Sequence, residues 1–329
     1  MPAYDRPPAY AQPVLRILDA RTGELVPAAP ARRGLTRIEA HASGPDPTSL
    51  RVLLTADLLV RALELGGTPV WAALAAPHHP AGLRTAATTL SIRPFEDAHD
   101  LPSGLGEAQV IHVTAEAPDA SGSGPVVWVA PVEWTAEAVG SCEGGAAGEA
   151  GGEGVAPEVG GAGGAGGAGG AGGAGGAACR GHVSEPAPGH APEVPLGRAS
   201  EPGPQTAAHP ALPGLLSDPA ALRLALLSVP RGEPVRLGSG VPAEAAGRLA
   251  RWRRAVAGWA RQPSRPVPDD VRARLRSAWE NDLDLPGVLE VLRAVESAPE
   301  LPDGARFETY VYSDRLLALD LARDVGSLA

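Results

Sequence analysis

The chain has 329 residues, a net charge of −10 and a pI near 5.3; the length predicts two domains, and the acidity argues against non-specific adhesion to nucleic acid. Its two cysteines, Cys142 and Cys179, lie in low-complexity sequence, so neither a disulfide framework nor a zinc knuckle is expected. No apolar run approaches the roughly 18 residues of a membrane span and the start of the chain lacks a signal-peptide layout, so a cytoplasmic protein with no membrane partner is expected.

Residues 1–13 are rich in Pro and Ala and predict a mobile tail. Val14–Leu18 and Glu24–Val26, separated by Asp19–Gly23, predict two short strands around a turn. Thr36–Ala40 predicts the next strand, followed by Ser43-Gly44-Pro45. A helix is expected over Thr48–Leu65, with Leu50, Leu53, Leu54, Leu58 and Leu63 for its buried side and Gly66-Gly67 at its end. Thr68–Leu74 reads as a buried parallel strand, and strand–helix–strand predicts a right-handed βαβ unit in a Rossmann-like sheet. Thr88–Ile92 predicts a further strand, and 108–115 with 125–134 predict a β-hairpin across the turn-rich 118–124.

From Gly140 to residue 212 the chain is rich in Gly, Ala, Glu and Pro, with a Gly-Gly-Ala repeat over 160–177. The triplets lack the proline of collagen, and such a segment buries too little apolar surface to offset its backbone entropy, so a disordered linker is expected. Ser217-Asp218-Pro219 then marks a helix start, because an Asp or Ser side chain accepts the first free N–H groups and Pro fits the first turn. Leu249, Trp252, Val256 and Trp259 recur at helical spacing, as do Leu275, Trp279, Leu289 and Leu292 further on. The expected fold class is α/β plus α: a tail (1–13), a Rossmann-like α/β domain (14–139), a linker (140–212) and a helical domain (213–329).

Three stretches carry a resemblance. Asp218-PAALRLALL-Ser228, Arg248-LARWRRA-Val256 and Asn281-DLDLPGVLEV-Leu292 resemble the helical tail of the cysteine-activating class I ligases, cysteinyl-tRNA synthetase and the mycothiol cysteine ligase. The opening strand pair, and the run from strand through Ser43-Gly44-Pro45 to helix and strand, resemble the same family's nucleotide-binding core. The resemblance covers both ends of the chain, about half of it, and implies an ATP-dependent cysteine ligase ancestry. Both catalytic signatures are missing. The loop 46–55 holds no histidine where the family has H-x-G-H. The chain holds no lysine, so the K-M-S-K-S loop is absent in any register. Ser43 stands where the family has a zinc-ligating cysteine, and a protonated hydroxyl is a poor ligand, so no zinc is expected. The reading is a degenerate, non-catalytic paralogue retained to bind a nucleotide, a tRNA or a protein partner, with ATP the cofactor that the resemblance allows. The alternatives are a remodelled cysteine ligase that uses arginines for lysines, and a scaffold docking on a true synthetase.

Two candidate sites follow. His41, Ser43, Gly44 and Pro45 with His78 and His79 fall after consecutive predicted strands, at the edge where parallel α/β sheets bind ligands. Arg248, Arg251, Arg253 and Arg254 with Trp252 and Trp259 form a candidate nucleic-acid surface, set against a reading in which the tryptophans are core and the arginines a solvated face. His41, Ser43 and Asp46 are too close in sequence to suggest a triad. Asp282 and Asp284 are expected to serve as an N-cap ahead of Pro286.

Overall fold

A computed structural model describes residues 15–30, 34–76, 80–98, 107–117, 123–134, 212–238 and 240–327. All of them fall in one compact unit. The tail and the Gly/Ala linker expected from the sequence lie outside the described residues.

The opening hairpin is β1 (Arg16–Asp19) against β2 (Glu24–Pro27). The βαβ unit is β3 (Leu35–His41), α1 (Pro47–Leu65) and β4 (Val70–Ala75), with β3 and β4 parallel. Its helix starts and stops where the sequence says it should. Asp46 accepts the Ser49 N–H at 2.9 Å, Pro47 sits in the first turn, and Gly66 caps the end. Then follow α2 (Pro80–Thr89), β5 (Glu96–Asp97), β6 (Glu107–Thr114) and β7 (Val126–Trp128). The sheet order is β5-β4-β3-β6-β7, every neighbouring pair parallel.

Two strand expectations are corrected. Residues 88–92 do not form a strand: Thr88 and Thr89 close α2, where their hydroxyls return bonds to the carbonyls of Arg84 and Thr85. Nor do 108–115 and 125–134 form a hairpin, because β6 and β7 run parallel. Short apolar runs record burial and not direction. The far edge of β7 is taken by the hairpin turn: Ala20 N–H donates to the Val126 carbonyl at 2.8 Å and Val126 N–H to Asp19 Oδ1 at 2.9 Å. The chain then leaves the sheet as β8 (Val132–Trp134), which pairs in parallel with β9 (Val235–Leu237).

The C-terminal helices are α3 (Leu212–Leu215), α4 (Pro219–Leu227), α5 (Gly240–Trp259), α6 (Asp269–Glu280), α7 (Leu285–Ser297) and α8 (Asp303–Leu317). Asp218 and Asp284 cap α4 and α7 as the sequence predicts, accepting from Ala221 N–H at 3.0 Å and Gly287 N–H at 2.9 Å. Trp252 and Trp259 are core, packed edge-on against Tyr310, whose hydroxyl donates to the Leu292 carbonyl at 2.9 Å.

The two halves share one hydrophobic core, centred on α1. Fifteen of the 19 residues of that helix are buried, so it is covered on the sheet side and on the side of α4 and α8. A helix apolar on most of its circumference has to be enclosed by the fold. Polar side chains lock the junction. Asp57, fully buried, receives Arg223 from α4 (3.2 Å), Arg61 (2.8 Å) and Arg93 (3.1 Å). Arg51 donates to the carbonyls of Ala130, Glu233 and Pro230 at 2.7–2.8 Å.

Candidate functional site

β3 reads Leu-Thr-Arg-Ile-Glu-Ala-His, and its side chains alternate between the two faces of the sheet. Ile38 and Ala40, both fully buried, join the α1 core, while Arg37, Glu39 and His41 are half-buried on the other face. On the neighbouring strand, Ile111 and Val113 face the core and His112 lies directly beside Glu39 in the parallel register. The sheet therefore brings Glu39, His41 and His112 to one place near the C-terminal ends of its two central strands.

This is also where the strand order reverses. β3 continues outward through β4 to β5, and the chain returns to the other side of β3 as β6. A crevice outside the carboxyl ends of the strands at such a point is the usual ligand position of open α/β sheets.

His41 Nε2 lies 3.0 Å from His112 Nδ1, with the rings tilted at 40° and 5.2 Å apart. His112 Nε2 is 3.1 Å from the Ser123 carbonyl oxygen. Glu39 Oε1 is 3.8 Å from His41 Nε2, and its other oxygen pairs with Arg37 at 3.3 Å. Burial, opposed by Glu39 and helped by the neighbouring His41, holds the His112 imidazole below its ordinary pKa. One donor atom from each of Glu39, His41 and His112 falls within 4.8 Å of the others, the spacing of a metal-capable set.

Ser123 is fixed by the residue after it. Gly124 has φ +87°, and a Cβ there would run into the Val110 carbonyl. Only glycine takes both the dihedral and the close approach without strain.

Of the residues singled out from the sequence, His41 is in this cluster. Ser43, Gly44 and Pro45 form the turn from β3 into α1, where Ser43 Oγ and Gly44 N each lie 3.4 Å from Ser49 Oγ. Asp46 is committed to the start of α1, receiving both the N–H and the hydroxyl (2.6 Å) of Ser49. Ser43 and Asp46 thus both turn to Ser49 while His41 turns to His112, and the three form no relay. His78 and His79 lie outside the described residues.

The arginines of α5 are mostly engaged within the fold. Arg248 donates to Ser228 Oγ (2.6 Å) and lies over Trp252, Arg251 pairs with Glu296 (3.1 Å), and Arg253 donates to the carbonyls of Leu319 (2.6 Å) and Asp320 (3.0 Å). Arg254 sits on the same helix and is exposed to solvent. With both tryptophans in the core, α5 offers no tryptophan face on which a base could stack.

Sequence reasoning missed Glu39 and His112. The signal for Glu39 was the alternation Arg37-x-Glu39-x-His41, a polar face on a strand of a parallel sheet, where both faces are usually covered. His112, in an apolar run 71 residues from His41, acquires its neighbours only through strand register. The chain matches no protein-family model and no curated protein.

Proposed function

We propose that this chain is a non-catalytic, class I ligase-like binding protein, whose ligand sits in the crevice at the carboxyl ends of β3 and β6. The observation that carries this reading is the reversal of strand order at β3 and β6 in a parallel sheet, with Ser43-Gly44-Pro45 leading from β3 straight into α1. The sequence resembles the cysteine-activating ligases along this same path, which makes their adenylate the ligand to test.

Adenylate formation requires cationic groups on the triphosphate and the departing pyrophosphate. The chain holds no lysine to supply them. At the start of α1, where free N–H groups would otherwise cradle phosphate, the Asp46 carboxylate already occupies the Ser49 N–H and adds negative charge. Both features disfavour a triphosphate at this point, and neither opposes a ligand that lacks one. The protein therefore binds without ligating.

The test is calorimetric titration of the full chain with a non-hydrolysable cysteinyl-adenylate mimic, alongside a pyrophosphate-exchange assay with ATP and cysteine. Binding at about micromolar strength or tighter, near −8 kcal/mol, with no exchange, is the expected result. No heat from folded protein overturns the binding reading, and cysteine-dependent exchange overturns the non-catalytic one.

A further inference from the structure

We propose that Glu39, His41 and His112 form a site for a divalent transition cation of the zinc class, a property separate from adenylate binding and independent of the ligase resemblance. The argument begins with a proton. The Ser123 carbonyl can only accept, so the His112 nitrogen 3.1 Å from it, Nε2, carries the hydrogen. In a neutral imidazole the other nitrogen, Nδ1, then presents a lone pair, and it is this atom that lies 3.0 Å from His41 Nε2. A backbone carbonyl behind a histidine, fixing its tautomer and the direction of its lone pair, is the arrangement found behind metal-ligating histidines.

The spacing fits a cation. Donors bound tetrahedrally at about 2.0–2.2 Å around a common ion stand roughly 3.3–3.6 Å from one another. The two imidazole nitrogens, at 3.0 Å, have to open slightly, and Glu39 Oε1, at 3.8 Å from His41 Nε2, has to close slightly by rotation of a side chain that is 15% exposed. All three donors come from adjacent, hydrogen-bonded strands in register, so the set is held by the sheet and needs no loop to order. His41, 37% exposed, leaves the site open to solvent.

The donor types select the ion. Two imidazoles with one carboxylate suit zinc, cobalt, nickel or copper, whereas magnesium and calcium prefer all-oxygen sites. The pairing of Arg37 with Glu39 Oε2 points the same way, because it reduces the net charge of the site while leaving Oε1 to ligate. Three protein donors leave at least one position open for water or for a donor atom from a molecule in the crevice, as in zinc sites that act on ligands.

The competing account is a plain hydrogen bond from His41 Nε2–H to His112 Nδ1 with no affinity for metal. The experiment is calorimetric titration of chelator-stripped, full-chain protein with Zn²⁺ in a non-coordinating buffer, repeated with Co²⁺ while visible d–d absorption is followed. The chain carries eight histidines and two cysteines, so the comparison is with His41→Ala and Glu39→Gln, each checked for folding by circular dichroism. Wild-type protein is expected to take up one tight equivalent that each variant weakens by at least about 10-fold, with matching loss of the Co²⁺ bands. An absence of wild-type zinc uptake, or equal affinity and stoichiometry in folded His41→Ala and Glu39→Gln, overturns the proposal.

Discussion

Two clusters of polar side chains are anchored on the β3–α1–β4 unit, each completed by residues from outside it. One surrounds Asp57 on α1, the other Glu39 and the two histidines on β3 and β6. Around Asp57 every charge faces a partner. Arg61, Arg93 and Arg223 converge on its two oxygens, and Arg223 further donates to the carbonyls of Leu317 (2.6 Å) and Leu90 (2.9 Å). At the sheet, two imidazole nitrogens and a carboxylate oxygen lie close together, with room for a proton or a cation between them, in a place that solvent reaches. The first arrangement has its charges paired by the protein alone and reads as structure. The second becomes fully satisfied only with a proton or a cation between its members, and reads as a site. Burial and direction of lone pairs separate the two, where a count of charged residues would not.

The sharpest way to break this comparison is to remove Arg223, which is 1% exposed. Burial pushes its guanidinium down to about 10, still cationic at neutral pH. Arg223→Ala leaves Asp57 with one partner fewer and two carbonyls without a donor. A loss of about 3–5 kcal/mol in urea unfolding is expected, the cost of opening a buried ion cluster. A loss under about 1 kcal/mol would mean that the halves are not held through α1.

How much of this could be read from the sequence divides along the same line. The β3–α1–β4 unit was legible because its signals are local: apolar periodicity, Asp46-Pro47 at the entry, Gly66-Gly67 at the exit. The parallel relation of β6 and β7 was not, since strand direction depends on what pairs at each edge. β9 is three residues inside a Pro/Gly-rich stretch that reads as an elbow, too short for alternation to register. α8 buries Gly304, Thr309, Ser313 and Leu317 alike, so it shows no apolar stripe to find. In the site, the chain itself places Glu39 and His41 two residues apart on one face, and the sheet adds His112.

A smaller perturbation tests whether the carbonyl behind His112 matters. Gly124→Ala imposes a side chain on a positive-φ residue and against the Val110 carbonyl. A cost of about 1–3 kcal/mol is expected from strain and overpacking, read as a lower urea midpoint with an unchanged slope. Because the same shift moves Ser123, the variant should also lose zinc affinity at temperatures where it remains folded. Retained affinity would mean that the Ser123 carbonyl does not orient the ring.

The smallest expected effect on stability is also the most discriminating. His41 is 37% exposed at the end of β3, and the contacts it makes are to His112 and, more loosely, Glu39. If its role is to complete a cation site, His41→Ala should leave the urea midpoint within about 0.5 kcal/mol of wild type when metal is absent. Zinc would then stabilise wild type and not the variant, since a ligand that binds only the folded state adds RT ln(1 + [L]/Kd). If instead the histidine pair is a structural hydrogen bond, the metal-free variant should lose about 1 kcal/mol and zinc should treat both proteins alike. Under the first role the stability difference between the two proteins grows when zinc is added; under the second it is the same with and without metal. A single pair of unfolding curves, run with chelator and with zinc, therefore distinguishes a cluster that holds the fold together from one that the fold holds open.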